Sequence, residues 1–308
     1  MPASTPPDRV LAPDSFHRAT VRGCDLRYYR SGGSQAIVLL HPLRAQLDYF
    51  VPLMRHLTGS PADLVAVDLP GHGESSAPDV DYTAAYFTDA VEALLEAADV
   101  RDAILVGESI GGAIALGLAA RHNPRITRVV ALNPYDYGRR GGIRRSSTLA
   151  NVLFTAMLWP SVGPVVARAG TRRMLRGVLA GGLYDPRNLP DDLVDELHRC
   201  GSLPGHARAF RSLCLQWQTW LSARSEYASI QVPVTLAYGN HDWSRPPERE
   251  ANEHAIPGVQ ALTFDGCGHF SCLEKPSQIA QLIGSLPLSA EPSNSSPTSA
   301  TNNSRSHE

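Results

Sequence analysis

Four short apolar runs constrain this chain more than any other feature. They lie at residues 36–40 (Ala-Ile-Val-Leu-Leu), 64–67 (Leu-Val-Ala-Val), 103–106 (Ala-Ile-Leu-Val) and 129–132 (Val-Val-Ala-Leu). Each stops at a glycine, or at a polar residue soon followed by proline. A strand with no polar face is covered on both sides, so the runs read as central strands of a parallel sheet between helical layers. Between them, residues 82–98 place Tyr86, Ala90, Leu94 and Ala97 near one helical face. Residues 17–21 and 26–29 flank Arg22-Gly23 and read as an N-terminal hairpin. The alternation predicts an α/β sandwich with right-handed crossovers.

The pattern stops at Asn133-Pro134. Residues 134–229 read as helices and loops, and strand signals resume at 232–238 and 260–264. A last helix is expected over 277–283. The reading is therefore a core at 16–133 and 230–286, interrupted by a helical insertion at 134–229. The termini, 1–15 and 287–308, are rich in Pro, Ser, Asn and Thr and read as disordered tails.

Bulk properties exclude several classes. A net charge of −2 gives no global case for nucleic acid or an anionic membrane as partner. The longest apolar stretch, 149–167, is broken by Pro160, Gly163 and Pro164, so it reads as a pair of buried or lid helices rather than a membrane span. The N-terminus lacks the basic start and apolar segment of a secretory signal. Five cysteines without metal-like spacing suggest reduced thiols in a cytoplasmic protein. No phosphate-binding loop, nucleotide fingerprint or metal-ligand cluster stands out, so no cofactor or metal is expected.

The third run leads into Gly107-Glu108-Ser109-Ile110-Gly111 and then a Gly/Ala-rich helical segment. A serine between two glycines at a strand-to-helix corner sits on a turn so sharp that side chains two positions either way would collide. Its hydroxyl projects from the sheet's end with a helix N-terminus behind it. The pentapeptide arises by chance in roughly one chain in ten of this length, so its context carries the weight. A serine nucleophile needs a base, and the base an orienting acid. Asp242, beyond the strand at 232–238, and His269, beyond that at 260–264, follow the serine in the required order. Asp136, beyond the run at 129–132, is the alternative acid. His41, His72 and His241 also lie at strand ends and read as loop or pocket-lining residues.

With these residues in place, the chain resembles the α/β-hydrolase superfamily, as a capped serine hydrolase, over about residues 20–285. The resemblance rests on Gly107–Gly111, on Asp68-Leu69-Pro70-Gly71-His72-Gly73-Glu74-Ser75, on Gly239-Asn240-His241-Asp242, and on Gly268-His269 followed by Glu274-Lys275-Pro276. It implies a mostly parallel eight-stranded sheet with a helical cap inserted after strand 6. It further implies nucleophile Ser109, acid Asp242 and base His269. The oxyanion hole would use the backbone N–H of Ile110 and one from the loop after residues 36–40. His41-Pro42 replaces the family's usual His-Gly there; proline has no N–H, which points to Leu43.

The implied substrate is a small acyl compound, an ester or lactone, without cofactor. Relatives of this fold that act on epoxides or haloalkanes carry an aspartate at the corner, whereas a serine suits an acyl carbon. His41, Trp159 and Trp243 are candidate substrate contacts. Eight arginines between Tyr137 and Arg176, with no acid among them, are either a solvated face or an attraction for an anionic substrate. Alternative activities are carbon–carbon hydrolysis of a vinylogous diketone acid, or cofactor-free lyase, haloperoxidase or oxygenase chemistry. A non-catalytic ligand-binding protein is the rival from another class. Oligomeric state is not readable.

Overall fold

A computed structural model describes residues 11–138 and 141–286. Its centre is an eight-stranded sheet. The strands are β1 (Phe16–Val21), β2 (Cys24–Arg30), β3 (Gln35–Leu40), β4 (Ala62–Val67), β5 (Ala103–Glu108), β6 (Ile126–Leu132), β7 (Val234–Gly239) and β8 (Gln260–Phe264). Their spatial order is β1-β2-β4-β3-β5-β6-β7-β8. Only β2 runs antiparallel to its neighbours β1 and β4. The expected apolar runs are β3 to β6, and β5 is buried along its whole length.

Alternate residues of these strands feed two apolar layers, because successive side chains point to opposite faces. Val38, Leu40, Val65, Val67, Leu105 and Leu236 pack on one side, with α2 (Ala84–Ala97) and α3 (Ile110–Ala120). Ile37, Leu39, Ala66, Ile104, Val106 and Ala237 pack on the other. That side is covered by α1 (Val51–Leu57), between β3 and β4, and by helices near the C-terminus. Thr83 starts α2 by accepting a hydrogen bond from the Tyr86 amide.

Between β6 and β7, among the described residues, lie six α-helices and no strand. They are α4 (Thr148–Met157), α5 (Gly163–Arg168), α6 (Arg172–Ala180), α7 (Asp191–Gly201), α8 (His206–Leu215) and α9 (Trp217–Ala223). Leu175, Leu179, Val194 and Leu197 of this insertion join the second apolar layer. Three helices follow: α10 (Pro246–Ala255), α11 (Ser271–Glu274) and α12 (Pro276–Gly284). Among the described residues, no helix is long and apolar enough to cross a membrane. The five cysteines are unpaired.

Two expectations shift. Residues 11–15, expected within a disordered tail, are not loose: Pro13–Ser15 forms a 3-10 turn into β1, and Leu11 packs against the second layer. The rest of both tails, 1–10 and 287–308, lies outside the described residues. Sequence patterning also assigns no helix to 246–255, because Pro246-Pro247 and several charges hide it. The Glu248 carboxylate, accepting from the Arg245 amide (2.7 Å), and a proline at its first position nonetheless start α10.

Candidate active site

Ser109 sits between β5 and α3 with φ 58° and ψ −117°, a strained conformation for a residue with a Cβ. The flanking glycines make the corner possible. A Cβ on Gly107 would lie 2.1 Å from the Gly111 carbonyl oxygen, and one on Gly111 would lie 2.0 Å from that of Leu40. Backbone bonds hold the turn: the Ser109 amide donates to Leu132 O (2.9 Å), and the Tyr135 amide donates to Ser109 O (2.9 Å). The serine is thus tied to the end of β6 and to the loop that follows it, and its side chain is left to act.

That side chain meets His269. The Ser109 hydroxyl donates to His269 Nε2 across 2.9 Å, and His269 Nδ1–H donates to Asp242 Oδ1 across 2.5 Å. All three side chains are buried. Burial alone would raise the Asp242 carboxyl. The imidazole, with the hydroxyl and amide of Ser244, outweighs burial and holds it below the ordinary carboxylate range. The ionised acid thereby fixes the His269 tautomer whose Nε2 can take a proton.

Two backbone N–H groups beside this chain are unspent. Among the described residues, neither Ile110, first in α3, nor Leu43, after β3, donates to any protein acceptor. Both residues are buried. Buried amides are nearly always paired, so such a pair is available to a developing negative charge.

A family model described as the alpha/beta hydrolase family matches residues 37–282. The chain belongs to the alpha/beta hydrolase family. A haloalkane dehalogenase of Agrobacterium fabrum is 33% identical over 289 residues, spanning 85% of this chain and 88% of that protein. A 2-hydroxymuconate semialdehyde hydrolase of a Pseudomonas species is 28% identical over 236 residues, 74% of this chain and 77% of that protein. The crystal structure of the enol-lactonase from Burkholderia xenovorans superposes with a TM-score of 0.70 at 24% identity. It covers 87% of this chain and 98% of that one, a likeness of fold.

Within this alpha/beta hydrolase, several expected residues fall elsewhere. Asp136 does not approach His269. Its carboxylate accepts from Asn252 Nδ2 (3.0 Å) and the Tyr227 hydroxyl (3.2 Å), and pairs with Arg224. His41, expected as a substrate contact, has both nitrogens committed: Nδ1–H donates to Pro42 O (2.8 Å), and Nε2 accepts from the Leu69 amide (3.0 Å). Burial lowers it to about 4, so it is a neutral brace between the β3 and β4 loops. Trp159 lies on the surface, 59% exposed, in the turn beyond α4, a helix that buries Ala150, Phe154 and Met157 and leaves Leu149 and Val152 exposed. Trp243, expected as a substrate contact, stacks on the His269 ring with centroids 4.1 Å apart. His241 lies against Tyr184 at 4.7 Å. Of the insertion's arginines, Arg145 pairs with Glu248, while Arg172 and Arg176 reach Asp191. Arg139 and Arg140 lie outside the described residues.

Several supporting residues escape sequence reading. Glu108, buried inside the pentapeptide, accepts from the Tyr49 hydroxyl (2.6 Å) and the Ser271 amide (2.5 Å), which pins the loop after His269. Burial raises its carboxyl. Asn133 donates to His269 O (3.0 Å) and accepts from the Gly239 amide (2.9 Å). Ser244 donates to Asp242 and accepts from Arg249 Nε (2.8 Å). Glu274 accepts from the amides of Gly268 (2.6 Å) and Asp185 (2.9 Å), tying the histidine loop to the insertion. The insertion answers through Gly182, whose carbonyl accepts from the His269 amide at 2.6 Å. The one readable signal was Glu274 within Glu274-Lys275-Pro276; the others depend on contacts far apart in sequence.

Proposed function

We propose that this protein is a serine hydrolase acting on a carboxylic ester or lactone. The observation that carries the reading is the unbroken Ser109–His269–Asp242 hydrogen-bond chain at a strained corner. Ser109 Oγ attacks the acyl carbon while His269 Nε2 takes the hydroxyl proton. The carbonyl oxygen becomes an oxyanion held by the Ile110 and Leu43 N–H groups. Collapse breaks the bond to the leaving oxygen, which takes the proton from His269. Water then attacks the acyl-enzyme with His269 as base, releasing the acid and restoring Ser109. The insertion between β6 and β7 acts as the cap, and the small-molecule substrate lies beneath it.

Ser109 stands where dehalogenases of this fold carry aspartate, so the similarity to a haloalkane dehalogenase does not extend to that chemistry. The relative named 2-hydroxymuconate semialdehyde hydrolase favours a second reading, hydrolysis of a carbon–carbon bond by the same residues. Steady-state turnover of 4-nitrophenyl butyrate by wild type and Ser109→Ala tests the first reading. We expect a loss of about 10⁴-fold or more; undiminished turnover by Ser109→Ala removes the nucleophile assignment. Parallel assay on a ring-cleavage product separates ester from carbon–carbon hydrolysis.

A further inference from the structure

Several half-buried arginines in this molecule have carboxylate partners. Arg27 pairs with Asp68, Arg30 with Asp63, Arg145 with Glu248 and Arg224 with Asp136. Arg44 differs. It follows Leu43 directly and has φ 63°, a backbone conformation disfavoured for a residue with a Cβ. Its guanidinium lies over the Phe210 ring, 4.8 Å from the centroid. Gly201 leaves room for it, since a Cβ there would come within 3.0 Å of both terminal nitrogens. Among the described residues, no group accepts a hydrogen bond from it and no carboxylate pairs with it. The nearby Cys214 thiol is pushed up to about 12 by burial, so it stays neutral and supplies no counter-charge.

Arg44 borders a hollow of about 610 Å³, partly open to solvent, whose other lining includes Phe154, Met174 and Leu179, and also a smaller one of about 270 Å³ beside Gly201 and His206. Arg44 is the single charged side chain in the wall of the larger among the described residues. A third hollow of about 420 Å³ shares Ile143 and Phe154 with the first, and Leu43 and Tyr135 line it. Tyr135 is bonded through its amide to the Ser109 carbonyl. Mostly apolar lining thus surrounds Arg44 in the first hollow and Leu43 in the third, which Arg144 also lines. Leu43 and Arg44 are one peptide apart, about 3.8 Å between Cα atoms, so the cation lies about one arginine side chain from the proposed oxyanion donor. A cation in apolar surroundings without a partner is costly, and a planar five-donor fork matches a carboxylate.

We propose that Arg44 anchors a carboxylate on the substrate, so that the site selects acyl compounds carrying an anionic group about one side-chain length from the carbonyl under attack. The inference rests on the reading of Ser109 as nucleophile. It assigns anion recognition to the loop that also supplies the Leu43 amide, and not to the arginines on the outside of the insertion.

The test compares 4-nitrophenyl butyrate with the mono-4-nitrophenyl ester of glutarate, using wild type, Arg44→Gln and Arg44→Lys. The readout is the ratio of kcat/KM for the glutarate ester to that for the butyrate ester. The ratio should fall by roughly 10- to 100-fold in Arg44→Gln. Arg44→Lys, which keeps the charge and loses the fork, should recover part of it. It also keeps the test decisive if the glutamine variant folds poorly. A ratio equal in all three proteins overturns the proposal. Calorimetric binding of glutarate to Ser109→Ala, and its weakening in Ser109→Ala/Arg44→Gln, is independent of turnover. Arg44-dependent binding without ester hydrolysis upholds the anion site and removes the hydrolase reading. Ester hydrolysis with an Arg44-independent ratio does the reverse.

Discussion

Two clusters of buried Asp, His and Ser residues stand at the carboxyl ends of the parallel strands, built from the same residue types to opposite ends. Beyond β5, β7 and β8, Ser109, His269 and Asp242 bond to one another through their side chains. Beyond β3 and β4, His41, Asp68 and Ser75 bond mainly to backbone. Asp68 accepts from the amides of Leu47 (2.8 Å) and Glu74 (2.9 Å) as well as from Arg27 Nε (2.7 Å). Ser75 donates to Asp68 O (2.6 Å) and accepts from the Arg27 amide (2.8 Å). Gly73 admits the carboxylate, since a Cβ there would lie 2.2 Å from it. Residue type and placement therefore do not separate chemistry from architecture. Bond partners do: the first set is joined side chain to side chain in one chain, whereas the second is committed chiefly to backbone groups.

Matched substitutions in the two clusters should give the largest effects. Asp242→Asn should lower kcat about 10⁴-fold, since the amide no longer holds the reactive tautomer, with the melting temperature little changed. Asp68→Asn should behave in the opposite way. It leaves Arg27 without its buried partner and should cost about 3–5 kcal/mol in denaturant titration, with turnover per folded molecule preserved. Equal loss of turnover in both variants would erase the distinction.

The glycines that shape the corner come next. Gly111→Ala forces a Cβ into the Leu40 carbonyl. It should reduce soluble yield and melting temperature together with activity. Gly117→Ala, in the same helix, meets nothing closer than the Thr88 hydroxyl at 3.5 Å. It should stabilise by about 0.5–1 kcal/mol. A similar response at both positions would mean that the corner is not under steric constraint.

The smallest expected effect concerns pH. Burial lowers His41 to about 4 and His72 well below its ordinary 6.5. On the unfolded chain each ring takes up a proton as pH falls through about 6.5, whereas the folded rings stay neutral to about 4 or lower. The unfolded state then binds more protons, so stability falls as pH drops across that window. His41→Asn should be less stable at pH 8 and show a shallower decline of melting temperature from pH 6.5 to 4. An unchanged slope would remove His41 from the acid response.

The central strands and the Ser109 corner were legible because each depends on residues adjacent in sequence. Runs such as 103–106 report burial directly, and Gly107 and Gly111 report the turn. Asp242 and His269 were legible through strand order. Trp159 was not, because whether the turn after α4 faces inward depends on what packs against it. His41 and Trp243 were correctly placed near strand ends, but their partners, Leu69 and the His269 ring, lie 28 and 26 residues away in sequence. Glu108 and Arg44 show the same limit from opposite sides. One is committed to Tyr49 and Ser271, the other to no protein acceptor, and neither state is written in its neighbours.

The most direct measurement is intact-protein mass after exposure to a fluorophosphonate, with the adduct located by peptide mapping. The proposed nucleophile requires one adduct per chain, on Ser109, lost in Ser109→Ala and greatly slowed in His269→Ala. No adduct on folded wild-type protein, or an adduct that persists in Ser109→Ala, would contradict it.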